Sequence, residues 1–218
     1  MEAKLSEKKL LIFDFFSGTG SSTQAFKDAS HTVITFENDS YFECTELVDV
    51  YELTAKRLLA EYGQPDFIWA SPPCTAFSVA SMGHHWINGG ANPMPRTEAA
   101  ARAQDLVLHT LRLIKDLNPP LGWLMENPRG MLRKLPVVAG IPRISITYCQ
   151  YGDSRMKPTD LWGFVHSAWQ PRAMCKNGSP CHVAAPRGSQ TGTQGLKGAR
   201  ERSRVPIALS VDLLRSFA

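Results

Sequence analysis

The chain has 218 residues, a formal net charge of +4, 43% hydrophobic residues and 20% charged residues. That is enough apolar material for the core of one α/β domain with at most a small appendage, and it excludes global disorder. No apolar run nears about 18 residues and the charged start "MEAKLSEKK" lacks a signal-like apolar stretch, so neither a membrane span nor secretion is expected; five irregularly spaced cysteines make no disulfide framework and point to a reducing cytoplasm.

The elements alternate. "LLIFDFF" (Leu10 to Phe16) is rich in strand formers, and "SGTGSS" follows at once. "TQAFKDA" reads as a helix, "HTVITFEND" as a second strand ending in acids, and "ELTAKRLLAEYG" as a helix stopped by Gly63. "DFIWA" is a strand. From Thr97 to Leu117, apolar residues at Ala103, Leu106, Val107, Ile114 and Leu117 make one helical face. "LGWLMEN" is the next strand, followed by a short "PRGMLRKL"; "RISITYC" is one more, with period-two alternation. This order predicts a mostly parallel sheet covered by helices on both faces. Pro171 to Arg204 breaks the rhythm with Gly, Pro, Ser and basic residues, and "VPIALSVDLLRSF" closes the chain as an amphipathic helix. The expected organisation is a core over residues 1–170, a basic Gly-rich insertion over 171–204, and a returning helix over 205–218.

Chemistry-bearing residues fall at strand ends. Gly18-Thr19-Gly20 sits between a strand and a helix, where a glycine turn lets a ligand approach the backbone. Glu37 ends the second strand, where a carboxylate commonly accepts hydrogen bonds from a ribose diol. Together they suggest an adenosine-containing cofactor. Cys74 follows Pro72 and Pro73, just past "DFIWA". Two rigid φ angles would hold this thiol in place, and a thiol beside cationic or dipolar donors is a strong nucleophile. Glu126 ends another predicted strand and lands near the same edge. Cysteine plus carboxylate without a clear histidine partner is not a protease pattern. His84 and His85 in "SMGHHWINGGANP" are weak candidates for a base. A thiol and an acid facing one ring suit pyrimidine chemistry: the thiolate adds at C6, the acid engages N3 and the exocyclic amine, and C5 becomes nucleophilic toward a sulfonium methyl group.

These residues resemble the cytosine C5-methyltransferases, including small phage and prophage members. "DFFSGTGSS" resembles their first motif, "FEND" the acidic second, "SPPCTAFS" the Pro-Cys motif with Thr75 for the usual glutamine, and "MENPRG" the Glu-Asn motif with Pro128 for valine. "YCQYGDSRMKPT" resembles the Arg motif, and "RSRVPIALSVDLL" the last helix. The likeness covers roughly residues 10 to 165 and 203 to 217. It implies a Rossmann-like, doubly wound methyltransferase sheet with S-adenosylmethionine as cofactor, held by Phe16, Gly18, Thr19, Gly20, Glu37, Asp49 and Pro72. It also implies Cys74 as nucleophile, Glu126 as the ring-activating acid, and either Arg155 or Lys157 as the base-contacting cation. DNA is the implied partner. About 40 residues stand where duplex-reading members carry a target-recognition domain, too few for a full domain without a staple. A homodimer or partner protein supplying recognition is therefore an expectation. RNA or a free cytosine nucleotide, a non-catalytic DNA-binding module, and a nicotinamide-dependent reductase are the competing readings.

The segment between Arg172 and Arg204 carries seven Lys/Arg and one acid, Glu201, compatible with a polyanion. It also holds "CKNGSPCH", placing Cys175, Cys181 and His182 together, with Cys149 or His166 as a fourth ligand for zinc. The C-x5-C-H spacing is not that of a usual knuckle, so no metal is assigned and these are read as ordinary loop residues.

Overall fold

The computed structural model describes residues 8–87, 92–185 and 198–217. The charged start at 1–7, the Gly-rich 88–91 of the two-histidine stretch, residues 186–197 of the basic segment and Ala218 lie outside the described residues.

The apolar runs become the sheet. In chain order the strands are β1 (Leu11–Phe15), β2 (Thr32–Glu37), β3 (Glu46–Leu47), β4 (Phe67–Ala70), β5 (Trp86–Ile87), β6 (Met94–Pro95), β7 (Gly122–Pro128), β8 (Arg143–Thr147) and β9 (Pro158–Val165). Seven form one sheet in the order β3-β2-β1-β4-β7-β9-β8, and β5 pairs with β6 apart from it. β3, β2, β1, β4 and β7 run parallel. β9 runs antiparallel to both β7 and β8.

The helices are α1 (Gln24–Asp28), α2 (Ala55–Tyr62), α3 (Met82–His85), α4 (Glu98–Leu117), α5 (Ala199–Ser203) and α6 (Ile207–Ser216). Central strands are buried on both sides, which is why they read as continuous apolar runs. Phe13, Phe15, Ile68, Ala70 and Met125 pack toward α2 and α4. Ile12, Phe67, Trp69 and Leu124 pack toward Phe26 of α1 and Leu209 and Leu213 of α6. α4 begins where Thr97 Oγ1 accepts from the Ala100 N–H at 3.2 Å, and it ends at Asn118 in the left-handed region. Gly63, at φ 87°, stops α2. Among the described residues, no helix is long and apolar enough to cross a membrane.

Several short elements, β3, α3, β5, β6 and α5, have no counterpart in the sequence reading, and two larger differences bear on the site. The "RISITYC" strand ends at Thr147, and Tyr148–Tyr151 turns into a 3-10 helix closed by Gly152. β9 has no counterpart in that reading, because Pro158, Asp160 and Gly163 interrupt its alternation. Asp160 is nonetheless fully buried. Its carboxylate accepts from Arg133 Nη2 and from Ser145 Oγ, each at 2.6 Å, so the charge has partners inside the sheet.

After β1 the chain winds toward β2 and β3, and from β4 it winds the other way toward β7. The strand order therefore reverses between β1 and β4, where the carboxyl ends of parallel strands open a crevice.

Candidate active site

At this switch point lies a cleft of about 1110 Å³. Its walls include the turn after β1, the Pro-Cys loop after β4, the end of β7, the start of β9, and parts of the segments 177–185 and 202–205. Phe16 adopts φ 59°, Gly18 φ 48° and Gly20 φ 68°. Two glycines let the chain fold back without a Cβ penalty, while Phe16 is an outlier of the kind that functional turns sustain. A Cβ on Gly18 would meet open space, so the turn leaves room beside its backbone.

Cys74 is held from two sides. The Cys74 carbonyl accepts from the Phe77 and Ser78 N–H groups at 2.9 and 3.0 Å, opening a helical turn. Asn127 Nδ2 donates to the Pro72 carbonyl at 2.9 Å, tying the end of β7 to the Pro-Cys loop. The Met131 N–H donates to the Phe77 carbonyl at 2.7 Å, and a Cβ on Gly130 would overlap that carbonyl. The two sequence motifs thus interlock through one side-chain and one backbone hydrogen bond and a close backbone approach at Gly130.

Glu126, Cys74, Arg155 and Lys157 all line the cleft. Glu126 is buried, and its Oε1 accepts from the Tyr148 hydroxyl at 2.8 Å. Lys157 Nζ lies 3.9 Å from the same oxygen and 4.5 Å from the centre of the Tyr148 ring. Arg155 is spent differently. Its guanidinium pairs with Asp153 and donates to the carbonyls of Glu201, Arg202 and Arg204. Burial pushes the Cys74 thiol above its ordinary value and the Glu126 charge adds to this, while Lys157 pulls it down. Burial raises the Tyr148 hydroxyl too, with Glu126 next in effect, so it remains a donor.

The expected cofactor residues do not all reach the cleft. Phe16, Gly18, Thr19 and Pro72 line it; Gly20, Glu37 and Asp49 are not among its walls. Glu37 Oε2 accepts from the Gly18 N–H at 2.8 Å, and Oε1 from the Asn38 N–H at 2.9 Å. Asp49 caps a short 3-10 turn through the Tyr51 N–H at 3.0 Å. Ser17 Oγ, at the cleft wall, is buried with no partner among the described residues, as is Asp14 Oδ1. An open Gly turn, a strand-end carboxylate bonded to it, and an unpaired hydroxyl fit an adenosyl cofactor. Asp14 is the residue the sequence reading missed. Its Oδ2 accepts from Ser22 and Thr23 at 2.8 and 2.7 Å, fixing the start of the helical turn, and burial raises its carboxyl to about 6. The signal was an acid inside the apolar run "LLIFDFF".

His84 and His85 lie outside the cleft wall. His85 Nδ1 is 2.8 Å from Thr97 Oγ1, the cap of α4. Cys149, Cys175, Cys181 and His182, by contrast, come together with all ligand atoms within 4.8 Å. His166 lies at the other end of β9, its ring against Phe164.

A doubly wound sheet with an open glycine turn, a clamped thiol and a buried carboxylate at its switch point defines a Rossmann-like methyltransferase. A family profile described as C-5 cytosine-specific DNA methylase matches residues 10–136. The "Probable DNA (cytosine-5)-methyltransferase" of Frog virus 3 (isolate Goorha) is 30% identical over 220 residues, covering 93% of this chain and 98% of that protein. The structure of the Entamoeba histolytica methyltransferase EhMeth superposes with a TM-score of 0.55 at 16% identity, over 78% of this chain. The chain spans 58% of that structure's length, and the likeness shows the shared fold. The chain belongs to the C-5 cytosine-specific DNA methylase family. It is an enzyme of cytosine C5 methylation, with S-adenosylmethionine as cofactor.

Proposed function

We propose that this enzyme methylates cytosine in DNA through a covalent bond between Cys74 and the base. The observation that carries this is the convergence of Cys74, Glu126 and Lys157 on one cleft beside the glycine turn. S-adenosylmethionine, when bound, supplies the electrophilic methyl group. Ser17 and the Gly18 turn would hold it at the β1 end of the cleft, with Glu37 behind the turn accepting from the Gly18 N–H.

The free enzyme keeps Cys74 protonated more readily than an ordinary thiol, since burial and the Glu126 charge oppose ionisation. Substrate relieves this. As Glu126 shares a proton with ring N3, its negative field on the thiol falls, and Lys157 then favours the thiolate. The proton lost from Sγ balances the one gained at N3. A bond would form between Sγ and C6, the C5–C6 π pair would move to C5, and C5 would accept the methyl group that the sulfonium cofactor supplies as it becomes a neutral thioether. Loss of the C5 proton to water would then return the C–H pair to the C5–C6 bond, while the Sγ–C6 pair leaves with sulfur, which takes back the proton held at N3. Tyr148 orients Glu126 by donating to Oε1. Lys157 is the cation beside the base: its Nζ lies 3.9 Å from Glu126 Oε1 and is shared with one carbonyl, that of Arg202, whereas Arg155 is engaged with Asp153 and three carbonyls.

Cleft chemistry of this kind requires the base to leave the duplex stack. Basic side chains near the cleft grip phosphates, which position the duplex without reading it. Arg202 lines the cleft, Arg200 lies 5.2 Å over the Tyr41 ring, and Arg204 faces Glu201 at 3.5 Å. Residues 171–204 stand in place of a recognition domain, which gives a short or loosely defined site unless a second copy or a partner adds contacts. Free cysteines throughout the described chain suit a reducing cytoplasm. Labelled S-adenosylmethionine offered with duplex DNA, RNA and free cytosine nucleotides tests the reading. Label in C5 of DNA cytosine, with binding that weakens steeply in salt, supports it. Label confined to RNA or nucleotide overturns the DNA assignment.

A further inference from the structure

The segment that follows β9 presents a physical problem. Trp169 packs against the core just beyond β9, but further along Met174 and Val183 are exposed, so the stretch that reaches the cleft has no large apolar anchor. It nevertheless contributes Asn177 and His182 to Ala185 to the cleft wall. A loop that shapes a cleft without a core of its own needs another staple.

Four side chains supply one. Cys149 comes from the 3-10 turn after β8, and Cys175, Cys181 and His182 from the loop. Cys175 Sγ lies 3.2 Å from Cys181 Sγ and 3.4 Å from His182 Nδ1, and Cys181 Sγ lies 3.8 Å from the same nitrogen. Ligand atoms on a tetrahedron with bonds of about 2.3 Å lie about 3.8 Å apart, and this group sits around that value. The 3.2 Å sulfur separation is far beyond a disulfide bond of about 2.05 Å. A disulfide would also leave Cys149 and His182 unused.

The surroundings fix the donors. The Cys175 N–H donates to Thr147 Oγ1 at 2.8 Å, the Val183 N–H to the Ser154 carbonyl at 2.8 Å, and Gln150 Nε2 to Cys181 Sγ at 3.3 Å. An N–H directed at a ligating sulfur is a common outer-shell contact. We propose that Cys149, Cys175, Cys181 and His182 bind a structural zinc ion that fastens the post-β9 segment to the catalytic core. Three sulfurs and one imidazole favour zinc over hard cations, and four protein donors leave no open position for chemistry. The ion sits next to Tyr148, the residue that donates to Glu126, so it stabilises the outer cleft wall and the acid's partner together. This assignment stands independently of the methylation reading.

Its test is metal content. The full chain, expressed without a histidine tag and purified without chelators, is expected to retain one zinc per chain through dialysis. Cobalt in its place should give the intense visible bands of a tetrahedral thiolate site. Cys181→Ser and His182→Ala should each lose zinc at least tenfold faster, and His182→Cys should keep it. Circular dichroism confirms that these loop variants are folded. Chelation of the wild type should speed proteolysis within 171–205 while the remaining core resists. Zinc lost as readily from wild type as from Cys181→Ser overturns the proposal. So does a Cys175–Cys181 disulfide in protein alkylated without reductant.

Discussion

The Cys74 loop and the post-β9 segment form facing parts of one cleft, yet they are held by different physics. The Cys74 loop is short, begins at the end of a buried strand, and is clamped by the neighbouring strand and the turn that follows it: Asn127 on Pro72, Met131 on Phe77. The post-β9 segment leaves the sheet and is caught at separate points: by Trp169 against the core, by Arg172 on Asp212, by the Cys/His group at 175–182, and by Arg155 under residues 201–204. Backbone clamps preorganise a nucleophile. Point tethers position a wall that can be rebuilt without disturbing the sheet.

The sharpest way to break the first side is Cys74→Ser. An alcohol is scarcely ionised near neutrality, so turnover should vanish while cofactor binding, read by calorimetry, persists. Methylation near the wild-type rate would end the assignment.

Glu126→Gln should come next, with a loss of roughly 10²–10⁴ in kcat, the range for a positioned acid or base. A loss confined to KM would recast Glu126 as a binding group. The thiol provides a second readout. Glu126 raises Cys74, so its neutralisation should move the pH profile of Cys74 alkylation to lower pH; Lys157 lowers Cys74, so Lys157→Met should move it to higher pH. Peptide-resolved alkylation across pH measures both, and shifts of the same sign would refute the electrostatic account.

The contrast also explains what could be read from sequence. β1, β2, β4, β7 and α4 follow from apolar patterning, and the motifs at strand ends follow from connectivity, since parallel strands carry their carboxyl ends to one edge. Glu126 and Cys74 were therefore legible. Tyr148 was not, because "RISITYC" reads as one strand and only the turn at Thr147 points its hydroxyl to Glu126. β9 was hidden by Asp160, whose burial depends on Arg133, 27 residues earlier. Arg155 and Lys157 are inseparable by position in the sequence; in the fold both donate to the Arg202 carbonyl, but Arg155 pairs with Asp153 while Lys157 Nζ lies 3.9 Å from Glu126 Oε1. The cysteine group, likewise, has poor local spacing because its fourth member comes from a different element.

Arg155→Met tests the second side. Burial pushes the Asp153 carboxyl up, but hydrogen bonds from Arg155 outweigh it and hold it below its ordinary value. A lowered carboxyl contributes stability above its unfolded pKa and loses it as pH falls through the folded one. The variant should lose about 2–4 kcal/mol near neutrality, on the scale of breaking a partly buried pair, and part of its acid sensitivity. Denaturant melts at several pH values measure this. Residues 198–205 should become protease-sensitive while Cys74 alkylation stays unchanged. If alkylation changes as much as proteolysis, the two walls are one cooperative unit and the comparison fails.

The smallest effect belongs to the cofactor end. Glu37 Oε2 accepts from the Gly18 N–H and Oε1 from the Asn38 and Asp39 N–H groups, so it shapes the turn and keeps acceptor capacity for a diol mainly on Oε2. Glu37→Ala removes both roles. Glu37→Gln keeps one acceptor, which serves either Gly18 or a ribose hydroxyl. If ribose binding is the main role, S-adenosylmethionine affinity should fall by about 1–3 kcal/mol in the alanine variant and by less in the glutamine variant. Thermal stability without cofactor should then change little in either. If turn-shaping dominates, unliganded stability falls first and affinity follows it. Calorimetry beside unliganded melting separates the two, and unchanged affinity in Glu37→Ala would remove Glu37 from the cofactor site.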